Sequence, residues 1–192
     1  MARKGFYIDT TRCVNCKTCQ VACKKKFKLP KGLLYRAVNS YEVGEYPNGR
    51  LYSVSHACNH CEDPACVRNC PTKAMYKDEQ DGTVQHDDDR CIGCRACIMA
   101  CPYGAPVFLE EKGIVNKCNA CIDTREEDGA TTCEAACGMR AIEFGDYEEL
   151  RAKHPDAVQS IPCFPDPHIT NPSILIGARE YAQDKNFKDL VM

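Results

Sequence analysis

The sequence predicts an α+β chain in which short strands and short helices are duplicated around closely spaced cysteines. Three observations predict it. Sixteen of the 17 cysteines fall into four groups of four, two of those groups align with each other without gaps, and every group is flanked by extended, aromatic or β-branched segments.

The groups are Cys13, Cys16, Cys19, Cys23; Cys58, Cys61, Cys66, Cys70; Cys91, Cys94, Cys97, Cys101; and Cys118, Cys121, Cys133, Cys137. The first and third read C-x2-C-x2-C-x3-C. That spacing puts three thiolates around one [4Fe–4S] cubane and sends the fourth to a neighbouring cluster. Disulfides do not suit an odd count with many cysteines two or three residues apart. A zinc ribbon uses two C-x2-C pairs some distance apart; the fourth group alone imitates one, the first and third do not. The expectation is therefore four [4Fe–4S] clusters.

Each element follows from local sequence. GFYID, LYSVS, GTVQH and GIVN lead as extended segments into the four groups. The close ligands need a loop, and C-x3-C is an i, i+4 pair, so a short helical turn carries the last two. AMYKD, PVFLE and AIEFG follow as second extended segments. Asp81-Gly82 turns AMYKD back into GTVQH, and Asn48-Gly49 joins YRAVNSY to LYSVS as a hairpin. DYEELRAKH reads as a helix capped at Asp146, with Glu149 at the capping-box position. IPCFPDPHITNPS is Pro-rich and predicts an extended strap, and AREYAQDKNFKDL is expected as a helix.

The repeat fixes the organisation. IDTTRCVNCKTCQVACK from Ile8 aligns with HDDDRCIGCRACIMACP from His86, and CNHC of the second group echoes CNAC of the fourth. The second and third groups are joined by a hairpin and should exchange their fourth ligands, which leaves the first and fourth to exchange theirs. The fold class is then two ferredoxin-like two-cluster domains, one inserted in the other, with an added β-hairpin lobe and an extended C-terminal strap. The expected bounds are 1–30 plus 113–150 for the outer domain, 31–50 for the hairpin lobe, 51–112 for the inserted domain and 151–192 for a helix and tail.

Composition agrees with a chain organised by metal. The hydrophobic fraction is 44%, but without cysteine it falls to roughly 35%, low for a self-sufficient core. There is no Trp. The formal charge of −2 understates the anionic load, since each thiolate-held cluster adds about −2. Arg12, Lys17, Lys24, Lys25, Lys26, Arg90, Arg95 and Lys117 lie beside the ligands and offer charge compensation. No broad basic face suggests nucleic acid. No apolar stretch is long enough for a transmembrane helix, and no leader-like segment precedes Cys13. Assembly in the cytoplasm, with membrane association or export only within a complex, is the expectation.

With these residues in view, the chain resembles the four-cluster electron-transfer (beta) subunits of the dimethyl-sulfoxide-reductase family of molybdopterin oxidoreductases. The resemblance rests on the four groups, the long insertion IDTREEDGATT in the fourth, and the phrases CNHCEDPACVRNCPTKAM and CIGCRACIMACPYGAP. It implies four ligand sets: Cys13, Cys16, Cys19 with Cys137; Cys118, Cys121, Cys133 with Cys23; Cys91, Cys94, Cys97 with Cys70; and Cys58, Cys61, Cys66 with Cys101. It implies a non-catalytic subunit that relays single electrons between a large molybdopterin (Mo or W) catalytic subunit and a quinol-linked membrane anchor or other redox partner. The outer domain would face the catalytic subunit. Relatives of the nitrate-reductase type carry Trp where this chain has Cys94, so four complete cubanes are implied here. A hydrogenase or formate-complex electron-transfer subunit shares the cysteine plan, and a free polyferredoxin is the other alternative.

Among lesser candidates, His56 and His60 are expected to donate to sulfur or backbone rather than bind iron. Asp87–Asp89 is read as a solvated turn, Tyr103 and Phe108 as packing against a cluster, and Cys163 as a leftover thiol with no ligand role.

Overall fold

The computed structural model describes residues 3–190; the expected domain limits at 1 and 192 lie outside the described residues. Strand β1, Lys4–Asp9, is the centre of a three-stranded sheet. Strand β8, Ile142–Asp146, pairs with it antiparallel, with Ile8 opposite Ile142. Strand β9, Ile174–Gly177, pairs parallel on its other edge, with Phe6 opposite Ile174. A central strand is covered on both faces, so GFYID is apolar at nearly every position rather than alternating. Gly5 permits the close approach at this edge: a Cβ there would lie 2.3 Å from the Ser173 carbonyl oxygen. The β1–β8 pairing brings the segments before the first group and after the fourth side by side.

The expected hairpin is formed by β2, Ala37–Val43, and β3, Arg50–His56. Two features differ from the sequence reading. The hairpin runs to His56, so a boundary at 51 cuts through β3. It is also not a detached lobe, because Val38 and Ser55 face the first cysteine group. Strands β4, Met75–Lys77, and β5, Val84–His86, make the hairpin around Asp81-Gly82. Strands β6, Val107–Leu109, and β7, Ile114–Asn116, make a further antiparallel pair.

The short helices carry the later ligands. Helix α1, Thr18–Lys26, contains both Cys19 and Cys23. Its last turn is Lys24, Lys25 and Lys26, cations that favour the negative end of the helix dipole. Helices α2, Ala65–Arg68, α3, Ala96–Ala100, and α5, Thr132–Ala135, are shorter, and their last ligands lie at or just past the end. Pro71 and Pro102 explain the early stops of α2 and α3, since the residue before proline is pushed out of the helical region. Gly138 follows the last ligand of the fourth group. The insertion in that group carries α4, Arg125–Asp128. Helix α6, Tyr147–Lys153, starts where expected: Asp146 accepts from the Glu148 and Glu149 N–H groups. The reciprocal capping box is found instead at Thr131 and Glu134 of α5.

The tail departs most from expectation. AREYAQDKNFKDL is not a helix but a 3₁₀ turn at Glu180–Gln183 followed by strand β10, Phe187–Leu190, which pairs antiparallel with β2. Asp184 accepts from the Asn186 N–H and breaks the helical path, and Phe187 seats its ring edge-on to Tyr41 at 5.5 Å. The strap is likewise part of the fold. Asn59 O accepts from Ser173 N, and Thr170 O and Asn171 O accept from Asp63 and Glu62 N, so it lies across the loop of the second group.

Candidate metal centres

The four loops share one backbone device. The residue before the second cysteine of each group has a left-handed conformation: Asn15, His60, Gly93 and Ala120, with φ of 55°, 44°, 67° and 53°. Lys17 and Arg95, just after the second cysteine of the first and third groups, are also left-handed. Such alternation turns successive N–H groups toward one side and builds a concave anion-binding nest. At Gly93 the glycine is obligatory, because a Cβ would lie 2.3 Å from the Gly113 carbonyl oxygen. A second shared turn follows the last cysteine of three groups, with Lys73, Gly104 and Arg140 at φ of 57°, 61° and 53°. In the second and fourth groups it returns N–H groups to the sulfur: Met75 N lies 3.4 Å from Cys70 Sγ and Ala141 N 3.3 Å from Cys137 Sγ. The first group lacks this turn because α1 continues past Cys23.

The sulfurs come together across groups. Cys13, Cys16, Cys19 and Cys137 line a recess with about 360 Å³ of atom-free space. Cys70, Cys91, Cys94 and Cys97 line another of about 280 Å³. The Cys61 and Cys66 thiolates feel Cys58 and Cys101. Cys23 feels Cys133 and Cys121, and Cys118 feels Cys23 and Cys133. These four neighbourhoods adjoin in a row. Cys19 feels Cys133, and Cys118 feels Cys58. Helices α2 and α3 each lead from one of the Cys58 and Cys91 sets to the other.

All 17 cysteines are free of disulfides. Among the described residues, no three cysteine, histidine or carboxylate side chains close tightly enough for one bare metal ion.

The electrostatics call for an anion. Arg36, 2% exposed, and Lys117, 1% exposed, are buried cations. Among the described residues neither has a carboxylate within ion-pair range. A buried charge without a counter-charge is costly. Burial pulls the Arg36 guanidinium down, but the sulfurs of Cys133, Cys118, Cys19 and Cys23 face it and, as thiolates, push it up overall. Its Nη1 donates to Ser55 Oγ at 3.1 Å, and that hydroxyl lies 3.3 Å from Cys19 Sγ. Burial pushes the Cys23, Cys61 and Cys66 thiols up to about 12 and Cys97 up to about 11. At neutral pH these side chains become thiolates by binding metal, not by themselves. Exposed Cys16 is instead lowered by the Thr18 hydroxyl, 3.4 Å away. The donor set fits four-thiolate iron–sulfur cubanes: all-sulfur quartets, N–H and O–H groups aimed at sulfur, and buried cations with no anionic partners but thiolates.

Other expected residues sort clearly. His60 reaches sulfur, with Nε2 3.9 Å from Cys118 Sγ; His56 meets the Asn39 amide at 3.2 Å instead. Tyr103 lies near Cys61 and Cys101 and shares a hydrogen bond with Thr170. Phe108 packs against the core cluster that includes Cys66 and Cys97 and lies under the Arg95 guanidinium, 3.8 Å from the ring centre. Asp87 caps the Asp89 N–H and pairs with Arg90. Cys163 neighbours Tyr52, Tyr41 and Asp189 rather than the other thiols. Of the eight basic residues named from sequence, Lys117 alone is fully buried; Lys26 and Arg12 pair with Asp123 and Asp9. Arg36 and Ser55 were not legible as site residues; the only hint is an arginine at the entry to an otherwise apolar-alternating strand.

Comparison with known proteins places the chain. A family profile described as a 4Fe-4S dicluster domain matches residues 50–147, and one described as a 4Fe-4S binding domain matches residues 10–27. The sequence is 45% identical to the B subunit of the anaerobic dimethyl sulfoxide reductase of Escherichia coli over 90% of this protein and 87% of that one. It is 35% identical to the formate dehydrogenase iron-sulfur subunit of Wolinella succinogenes, over 78% and 84%. It is 38% identical to the thiosulfate reductase electron transfer subunit of Salmonella typhi, over 73% and 74%.

Proposed function

The protein belongs to the family of iron–sulfur electron-transfer subunits that includes the B subunit of dimethyl sulfoxide reductase, and from that membership we propose how its residues perform the relay. Four [4Fe–4S] clusters are held by Cys13, Cys16, Cys19, Cys137; by Cys118, Cys121, Cys133, Cys23; by Cys58, Cys61, Cys66, Cys101; and by Cys91, Cys94, Cys97, Cys70. The first two sets form the outer domain and the last two the inserted one. A bound cubane supplies one-electron storage over potentials that span about −700 to +450 mV in proteins. The polypeptide supplies spacing, insulation and electrostatics. The β1–β8 pairing holds the outer sets together, and the strap, through Thr170 and its backbone bonds to Glu62 and Asp63, shields Cys61 from water.

The observation that carries this reading is the row of four thiol sets in which one ligand at each end, Cys16 and Cys94, is exposed. Electrons enter and leave there, and the polypeptide itself performs no substrate chemistry. The partners are a large molybdopterin catalytic subunit at the Cys16 end and a quinol-linked anchor or another donor at the Cys94 end. No helix among the described residues is long and apolar enough to cross a membrane. We assign anchoring to a partner and cluster insertion to the cytoplasm. The test is anaerobic purification of the native complex. A pterin-containing large subunit co-purifying with this one is the expected result, and a stable lone monomer that exchanges electrons with any small donor would overturn it.

A further inference from the structure

His60 belongs to the loop of the second cysteine group, yet its ring leaves that loop. Its peptide is continuous with Cys61, and its Nε2 lies 3.9 Å from Cys118 Sγ in the fourth group. The residue is 0% exposed. Its Nδ1 accepts from Val84 N at 3.1 Å. An imidazole that accepts at Nδ1 carries its proton on Nε2, so the N–H points at Cys118 sulfur. Lys117 steadies the same junction: its Nζ donates to the carbonyls of Val84 and Cys118. Val84 thus grips His60 with its N–H and Lys117 with its carbonyl. His60 is left-handed, with φ of 44°, as the equivalent residue is in the other loops.

We propose that His60 is the bridge by which electrons cross between the two cluster pairs, its backbone joined to Cys61 and its Nε2–H donated to Cys118 sulfur. This rests on the relay reading above. One electron would move per crossing: the cluster held by the Cys58 set would be oxidised by one and that held by the Cys118 set reduced by one, or the reverse, and His60 would keep its proton. The N–H to sulfur also raises the potential of the Cys118 set. His60 is a positioning residue, since it touches a ligand sulfur and not a substrate.

The experiment uses the anaerobically purified complex with native His60, His60→Leu and His60→Gln, and with ¹⁵N-labelled histidine in the native form. Potentials are read by redox titration followed by electron paramagnetic resonance, and crossing by the rate at which the far cluster pair reoxidises. The expected result is ¹⁵N hyperfine coupling to one reduced interior cluster. His60→Leu should lower the potential of that cluster alone, enough to change its oxidised-to-reduced ratio about tenfold, which is about 59 mV for one electron. It should also slow reoxidation by at least about tenfold, with His60→Gln restoring both to within a few-fold. If His60→Leu loses iron, the ¹⁵N coupling decides: its presence supports the bridge and its absence overturns it. Unchanged potentials and rates with iron intact, or a Gln variant as impaired as Leu, also overturn it. A native complex without cubanes would instead defeat the relay reading.

Discussion

The two thiol sets at the ends of the row and the two in its middle are built from the same repeated loop, yet they sit in different surroundings. Each end set has an exposed cysteine, Cys16 or Cys94, flanked by exposed apolar residues, Val14 at 61% and Ile92 at 66%. The middle sets are more enclosed: Cys23, Cys118, Cys121 and Cys133 are all buried, as are Cys58, Cys61 and Cys66, and Cys101 is half-buried. They also adjoin the buried cations Arg36 and Lys117. One loop motif therefore serves two tasks. At the ends it leaves one ligand open to solvent; in the middle the strap lies across the loop of the second group, and Arg36 and Lys117 balance its charge from within.

Removing the metal should erase this contrast most severely. The cysteines pervade all the larger core clusters, so iron-free protein should lose its native circular dichroism altogether; a native-like spectrum from rigorously iron-free protein would show that the middle sets are an ordinary core. Next in size is the loss of one ligand. Cys118→Ser should destroy iron binding at more than one set and deplete soluble protein, whereas Cys94→Ser should leave three cubanes intact, as iron and sulfide analysis of the two variants will tell. A smaller effect tests the interior charge. Arg36→Met should lower the potentials of the Cys13 and Cys118 sets and leave the Cys91 set unmoved in an electron paramagnetic resonance titration; equal shifts in all sets would mean a general structural disturbance. The smallest is a control outside the row. Asp146→Ala removes the cap of α6 and should cost about 1 kcal/mol of stability, read by denaturant unfolding of the holoprotein, without altering any potential.

The four groups were legible because the spacing that cluster ligation needs is local, and the repeat made the exchange of fourth ligands an expectation from sequence. The capped start of α6 was legible for the same reason: Asp146 acts on N–H groups two and three residues away. What escaped a reading of the sequence is tertiary. Arg36 looks like any strand arginine until Ser55 and four thiolates surround it. His60 was expected to reach sulfur or backbone, but nothing local says that the sulfur belongs to Cys118. AREYAQDKNFKDL was expected as a helix, yet β2 offered an open edge that β10 fills, just as β9 fills an edge of β1.

Four thiolate-held iron–sulfur cubanes in one polypeptide are the premise of the relay. Chemical analysis of the anaerobically purified protein measures that directly: it should return about 16 iron and about 16 sulfide per polypeptide from four Fe4S4 units, with no stoichiometric zinc. A colourless preparation, zinc in place of iron, or an iron count near half that value would contradict it.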